Sequence, residues 1–447
     1  MLRTVLVANR GEIARRIIRG CRARGLGTVA VFSEADRDAP HVKDADRAVA
    51  IGPPPARESY LDIARIIAAA RDTGADAVHP GYGFLSENWR FAEACAQAGL
   101  TFIGPSPEAI RAMGDKTEAR RRMAAAGVPI VPGSPEPVAD ATDARRFASS
   151  VGYPVILKAA AGGGGIGMAK VTKESELPAA WATATRRAQA AFGRPEVYVE
   201  RYVERGRHVE VQVFGDAKGT VVHMHERECS IQRRHQKLVE ESPAPNLAAD
   251  IKRGLTEAAV AGARAIGYVN AGTLEFLVDA QGFYFLEMNT RLQVEHPVTE
   301  EVTGLDLVAA QLDVAGGAAL PWTQQAILQR CAAIEVRVYA EDPAKNFLPS
   351  PGTITRLSLP RGEGIRIESG VIEGSVVSVH YDPLLFKLIV TGTDRTHALE
   401  RLAAALHACE VEGVKTTLPL LRTIAAHPEF RRGAVHTQMV EQGAFHG

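Results

Sequence analysis

Between Glu275 and Glu295 the chain reads Glu-Phe-Leu-Val-Asp-Ala-Gln-Gly-Phe-Tyr-Phe-Leu-Glu-Met-Asn-Thr-Arg-Leu-Gln-Val-Glu, which sets acidic, amide and guanidinium groups at intervals in an otherwise apolar segment. Glu275, Glu287 and Asn289 are oxygen donors of the kind that hold a hard cation such as Mg²⁺, an ion that keeps several waters and bridges nucleotide phosphates. Arg291 has the planar fork that grips a small oxyanion with two parallel hydrogen bonds, and Glu295 is free to act as a base. The chemistry implied is phosphate and small-anion handling around a divalent ion. Alternating polar residues also occur on solvated strand edges, but here Glu and Arg interrupt apolar runs too regularly for that reading.

The elements that would position these groups follow from the same stretch. Two apolar runs, Glu275–Val278 and Phe283–Met288, flank a turn at Asp279–Gly282, and such a pattern predicts a β-hairpin that brings Glu275 and Glu287 to one end. Glu287, Asn289, Arg291, Gln293 and Glu295 fall at every second position, on one side of an extended chain. Fully extended, that row would span about 26 Å at roughly 3.3 Å per residue. The chain must therefore curl after the hairpin if all five act together.

The 447 residues exceed what one hydrophobic core usually serves, so two to four domains are expected. Lys+Arg and Asp+Glu both number 52, so net charge gives no argument for a nucleic-acid partner. Five scattered cysteines without a CxxC pair argue against a disulfide framework or zinc site and for a reducing cytosol. No apolar run approaches the roughly 20 residues that span a bilayer, and the first residues enter a strand directly, leaving no room for a signal peptide. The expectation is a cytoplasmic chain with no membrane or nucleic-acid contact.

Apolar runs at Thr4–Ala8, Thr28–Phe32, Ala75–Val78 and Thr101–Ile103 alternate with helical patterns such as Ile13–Arg24, which predicts an open, mostly parallel sheet covered by helices. His79-Pro-Gly-Tyr-Gly-Phe-Leu-Ser-Glu-Asn88 follows a strand, at the edge where ligands collect in such sheets; Tyr82 and Glu87 stand out in it, and Gly81 and Gly83 suit a tight turn. Gly104–Glu108 reads as a linker before a helix from Met113–Lys116 to about Ala126, and a domain junction is expected around residues 104–135. The strand Pro154–Lys158 runs into Gly162-Gly-Gly-Gly165, bare amides suited to phosphate oxygens, with Lys158 supplying a cation. Glu196–Val203 reads as a strand ending near Glu200, an edge for an adenine, and His208–Phe214 as a strand with strict alternation. Glu226–Lys237, with three arginines, a histidine and a lysine, reads as a phosphate-facing loop between strands. Further strands are expected at Ile334–Ala340 and Leu388–Thr391, and helices at Leu305–Ala315, Thr396–Cys409 and Leu418–His427.

In this order, Ala8-Asn-Arg-Gly-Glu-Ile-Ala14, His79–Asn88, Met113–Lys116, Cys229–Lys237 and Glu287–Glu300 resemble the biotin carboxylase family, ATP-grasp enzymes of biotin-dependent carboxylases, over nearly the whole chain. The resemblance implies α/β and α+β architecture: a Rossmann-like N-terminal domain (1–113), a central ATP-grasp domain (114–317) with a mobile lid at about 132–203, and a β-rich C-terminal domain (330–447). By the same resemblance Lys116, Lys158, Gly163, Gly164, His208, Gln232 and His235 contact ATP, with Glu200 and Val203 at the adenine, while Glu275, Glu287 and Asn289 hold Mg²⁺ or Mn²⁺. Lys237, Arg291, Gln293 and Val294 hold bicarbonate, Glu295 deprotonates it, Arg337 stabilises the biotin enolate, and Tyr82 lines the biotin pocket. The implied partners are a biotin carboxyl carrier protein and carboxyltransferase subunits in trans, since no Met-Lys-Met biotinylation sequence follows residue 430, and a second copy of the chain in a homodimer. The chain departs from the family pattern at Ala161, Ile166, Arg330-Cys-Ala-Ala333 and Phe386. The acceptor is left open between acetyl-CoA, another acyl-CoA and a urea-like amide. An ATP-grasp ligase acting on another carboxylate, and a silent nucleotide-binding scaffold, are the competing readings.

Overall fold

Short β-branched runs near the N-terminus fold as expected into a parallel sheet. The computed structural model describes residues 2–160 and 168–445. Strands β1 (Thr4–Val7), β2 (Gly27–Phe32), β3 (Arg47–Ala50), β4 (Ala77–His79) and β5 (Thr101–Phe102) lie in the order β3-β2-β1-β4-β5, all parallel. Both faces are covered by helices, and the central strands β1, β2 and β4 are buried while the edge strand β3 is largely exposed. The helix Gly11–Ala23 begins directly after β1, and the loop 80–88 directly after β4. Both therefore sit at the carboxyl edge of the sheet.

Residues 104–108 are not a plain linker. Ser106 caps a helix, Pro107–Gly114, by accepting from the Ala109 amide at 3.2 Å, with Pro107 in the first turn where its missing N–H costs nothing. A second helix, Lys116–Ala125, follows on an Asp115 cap. Strands β6 (Val155–Ala159), β7 (Ala169–Val171) and β8 (Val197–Arg201) then form a small antiparallel sheet, order β7-β6-β8, with its own apolar core. The glycine loop, including Gly163 and Gly164 and the departures Ala161 and Ile166, lies outside the described residues.

The largest sheet has eight strands. Its first six in space are β13 (Gly282–Asn289), β12 (Asn270–Asp279), β9 (Arg207–Gly215), β10 (Val221–Arg233), β11 (Gln236–Ser242) and β14 (Ala332–Tyr339), continued by Leu384–Gly392 and Ile365–Ser369. Three C-terminal strands thus extend this sheet through the β11–β14 pairing, while the rest form small two-stranded sheets, Glu341–Asp342 with Leu348–Pro349, Gly352–Thr353 with Val376–Val377 and Arg356–Ser358 with Glu410–Glu412. The last of the expected strands begins at Leu384, four residues before Leu388, and so takes in Lys387 and the buried Phe386. Alternation gives the sheet two characters. Val209, Val211, Val213, Leu274, Phe276 and Phe285 face a core shared with the helix Ala249–Ala265, while His208, Glu210, Gln212, Thr273 and Glu275 between them are buried polar groups. No helix among the described residues is long and apolar enough to cross a membrane.

Candidate active site

The hairpin β12–β13 pairs Glu275 directly with Glu287. Glu275 in turn faces Glu210 on β9, and Glu210 faces Arg227 on β10, so Arg227, Glu210, Glu275 and Glu287 form one row across four strands. Gln212, Thr273 and Asn289 form the parallel row one side-chain step away. Adjacent strands lie about 4.8 Å apart, and three carboxylates side by side would repel strongly in this dry setting. Lys237 relieves the conflict for Glu210 and Glu275. Its ammonium donates to Glu210 Oε2 (2.5 Å), Glu275 Oε1 (2.8 Å) and Glu295 Oε1 (2.5 Å) at once, while Arg227, fully buried, donates to the other oxygen of Glu210 at 2.6 Å and to Gln212 and Thr299 at 2.9 Å.

The charged run 226–237 is not a loop. It is the end of β10, a two-residue turn at Arg234–His235, and the start of β11. Both turn residues are in the left-handed region, φ 49° and 66°, the conformation a tight hairpin of this hand needs although glycine or asparagine adopts it at less cost. A bulge beside Lys237, where Gln232 pairs with Lys237 but Ile231 with Val239, shifts the alternation and places Glu240 on the same face. Glu240 Oε1 accepts from Arg337 Nε at 2.6 Å, and Arg337 reaches Glu295 Oε2 at 2.9 Å. Glu295 therefore joins both cations. Burial opposes its charge, but Lys237, Arg337 and Arg227 win and hold its carboxyl well below the usual range. Burial dominates for Glu240, which is pushed up to about 7 against the pull of Arg337, and for its cross-strand neighbour Glu335, which is pushed well above the usual range.

After Asn289 the chain leaves the strand and curls through residues 290–295 into the helix His296–Thr303, the curl that the row's length demanded. Arg291 Nη2 donates to Asn289 Oδ1 at 3.0 Å, Nη1 to Gln293 Oε1 at 3.1 Å, and Asn289 Nδ2 to Glu275 Oε1 at 2.9 Å. The curl is pinned from outside by the fully buried Lys387, which donates to the Val294 carbonyl at 2.6 Å and pairs with Glu12 Oε1 at 2.9 Å. Tyr82 also donates to Glu12. Its loop is built on Gly81, at φ +62° and so close to Asn9 that a Cβ would meet Asn9 Nδ2 at 2.8 Å, while the Asn9 amide holds the carbonyls of Pro80 and Tyr82 at 2.7 Å.

A cavity of about 1000 Å³ unites these groups, a volume that takes a nucleotide with a small second ligand. Lys116, Lys158, Glu200, Val203, His208, Gln232 and His235 line it together with Lys237, Glu275, Glu287, Asn289, Arg291, Gln293, Val294, Arg337 and Tyr82. Glu295 does not; it is fully buried behind Lys237 and Arg337. At the other end, Lys158 Nζ lies 2.5 Å from Glu200 Oε2, and Arg120 binds the second oxygen of Glu200. The Glu200 carboxylate is thus engaged within the protein, and its backbone pairs with Ile156 in the β6–β8 ladder. His208 Nε2 is 3.0 Å from Glu275 Oε2.

Among the described residues, the tightest groups of metal-ligand atoms are His208 with Glu210 and Glu275, and Glu210 with Cys229 and Glu295. Both include carboxylates already bridged by Lys237. Glu287 differs, with no basic group within 4.0 Å among the described residues, and burial followed by the charge of Glu275 pushes its carboxyl up. Lys116 faces it at longer range, its ammonium pulled down by burial. A carboxyl in that condition, beside Glu275 and the Asn289 amide, suits a divalent cation. Sequence reasoning missed Glu210, Glu240, Arg227, Glu12 and Lys387 as parts of the site. Glu210 was within reach, two residues from His208 on an alternating strand.

Three family descriptions match the chain: "Biotin carboxylase, N-terminal domain" over residues 1–110, "Carbamoyl-phosphate synthase L chain, ATP binding domain" over 115–323, and "Biotin carboxylase C-terminal domain" over 335–442. The chain is 55% identical over 443 residues to biotin carboxylase 2 of Bacillus subtilis, covering 99% of this chain and 100% of the relative. It is 53% identical over 441 residues to the biotin carboxylase of Halalkalibacterium halodurans, covering 98% and 97%. Among solved structures it is similar to a biotin carboxylase–β,γ-ATP complex from Campylobacter jejuni (TM-score 0.95, 47% identity, 99% of each chain). It is similar also to the biotin carboxylase domain dimer of the Hydrogenobacter thermophilus 2-oxoglutarate carboxylase, in complex with MgADP, ADP and bicarbonate (TM-score 0.94, 46% identity, 99% and 98%). With its three matched domains and its cation-bridged row of carboxylates, this chain belongs to the biotin carboxylase family of ATP-grasp ligases.

Proposed function

We propose that the chain carboxylates biotin carried on a separate protein, using MgATP and bicarbonate, as the first half-reaction of an acyl-CoA carboxylase. The observation that carries the reading is the shared hold of Lys237 and Arg337 on Glu295, at the end of the row that offers Glu275, Glu287 and Asn289 to a metal. Bicarbonate is a weak nucleophile and hydroxide a poor leaving group; phosphorylation overcomes the second problem. Glu295 takes the bicarbonate proton, the freed oxygen attacks the γ-phosphorus of ATP, and the bond to the β-phosphate oxygen breaks to release ADP. The carboxyphosphate formed splits to CO₂ and phosphate. That phosphate accepts the ureido N–H proton, and the nitrogen attacks CO₂ while Arg337 stabilises the enolate.

The resting ion pairs make Glu295 a latent base. Its depressed carboxyl holds no proton while Lys237 and Arg337 face it; once their donors turn to bicarbonate and the transferring phosphoryl group, the carboxylate loses that stabilisation and its basicity rises. Lys237, Arg291, Gln293 and Val294 would orient bicarbonate, Tyr82 and Arg337 the biotin ring, and Lys116, Lys158, His208, Gln232 and His235 the nucleotide, in a site whose low dielectric strengthens each contact. Glu275, Glu287 and Asn289 would hold the Mg²⁺ or Mn²⁺, which neutralises charge on the phosphates when bound. The same reading includes a homodimer, a cytoplasmic setting, and carrier and carboxyltransferase chains in trans. The dimer and its ligands are supported by the named relative, a domain dimer in complex with MgADP and bicarbonate.

ATP cleavage with Mg²⁺, labelled bicarbonate and free biotin tests the reading. ADP release should depend on bicarbonate and label should reach biotin. ADP release indifferent to bicarbonate, or label that reaches neither biotin nor an added carrier protein, would overturn it.

A further inference from the structure

We infer that Glu87, reaching across from the N-terminal domain, is a positioning residue that aims Arg291 at bicarbonate. The inference rests on the function proposed above. Glu87 stands in the loop 80–88 after β4, and its two carboxylate oxygens take adjacent donors: Oε1 the Thr290 amide at 3.0 Å, Oε2 the Arg291 Nε at 2.9 Å. Because a guanidinium is planar, fixing its Nε edge fixes the direction of both Nη atoms. With Nε turned toward Glu87, Nη2 meets Asn289 and Nη1 meets Gln293, so the fork opens into the cavity between the two amides.

A purely structural role for the pair accounts poorly for this geometry. The Glu87 side chain is 40% exposed, and an ion pair so open to water contributes little to stability. What the contact does fix is orientation, at the one point where the chain has left β13 and no ladder holds residues 290 and 291. Glu87 accepts from both of them, so it sets the backbone and the side chain together.

The test is the steady-state kinetics of Glu87→Gln. The amide keeps an oxygen for the Thr290 N–H but loses the charge and the second acceptor. The KM for bicarbonate should rise about tenfold, the effect of losing one charge-assisted hydrogen bond, while the KM for MgATP stays within about twofold and the thermal midpoint is nearly unchanged. Arg291→Lys serves as the partner in a double-mutant cycle: a lysine has no Nε edge to fix, so adding Glu87→Gln to it should bring no further rise. An unchanged bicarbonate KM in Glu87→Gln, equal rises in both KM values, or fully multiplicative effects in the double variant would each overturn the inference. Loss of bicarbonate dependence in the native enzyme would instead remove the function on which it rests.

Discussion

Two buried ion clusters meet the short helix His296–Thr303, one at each end, and they are balanced in opposite ways. At its start, a single Lys237 ammonium serves Glu210, Glu275 and Glu295, and Arg337 serves Glu240 and Glu295. Near its end, the single carboxylate of Glu300 is shared by Arg16 and Arg366, both at 2.8 Å. The second arrangement saturates its acid: against the cost of burial, the two arginines hold the Glu300 carboxyl below its usual range. The first leaves acids over, and Glu240, Glu287 and Glu335 are all pushed upward. A surplus of buried carboxyls attracts a cation and retains protons, whereas a saturated pair does neither. The contrast separates a site made to receive ligands from one that ties the helix Gly11–Ala23 to the rest of the molecule.

Substitutions in the two clusters should therefore fail differently. The largest effect is expected for Glu295→Gln, which should lower bicarbonate-dependent ADP formation at least about a thousandfold while nucleotide titration shows MgATP affinity within about threefold; near-native turnover would remove Glu295 as the base. Next, Glu287→Gln should raise the Mg²⁺ concentration needed for half-maximal turnover about 10- to 100-fold, and chelation should stop the native enzyme until Mg²⁺ or Mn²⁺ is restored. In the other cluster, Glu300→Gln removes the carboxylate shared by Arg16 and Arg366, which keep Asp306 and Glu368, and should cost about 2 kcal/mol, read as a lower denaturation midpoint with turnover per folded molecule within about twofold. A comparable loss of turnover in that variant would erase the distinction.

The smallest expected effect is one of sign. Arg366 and Arg19 hold Glu368 down to about 2 despite its burial, from an ordinary 4.5, so its contribution to stability is present above about pH 4.5 and is lost as pH falls toward 2. Glu240 is raised from 4.5 to about 7, so the folded state binds its proton more tightly than the unfolded chain, and stability declines as pH rises through that interval. Glu368→Gln should flatten the acid side of the stability profile and Glu240→Gln the side between about 4.5 and 7. Identical profiles for the two variants would contradict the opposite balance.

How much of this was legible in the sequence depended on whether a contact follows from local alternation. Glu275 and Glu287 could be placed together because the apolar runs and the Asp279–Gly282 turn are contiguous. The centre of the parallel N-terminal sheet was legible for the same reason, its inner strands being apolar, whereas the largely exposed edge strand β3, which starts at Arg47, was not. Glu240 was not, since the bulge at Lys237 breaks the period of two, and neither was the hairpin at Arg234–His235, because no glycine or asparagine marks it. The Ser106-Pro107 start of a helix carried a cap signal that the prolines obscured. The β11–β14 pairing joins residues about ninety positions apart, which no pattern within either strand encodes.

That pairing has a mechanical consequence. With Lys237 on β11 and Arg337 on β14, the two cations that grip Glu295 ride on neighbouring strands of one hydrogen-bonded plate, and a hinge between residues 317 and 330 cannot separate them without unzipping a ladder. Movement that admits a ligand must therefore come from parts outside the plate, such as the small sheet of β6, β7 and β8. The charged centre would keep its dimensions throughout a turnover while its surroundings move.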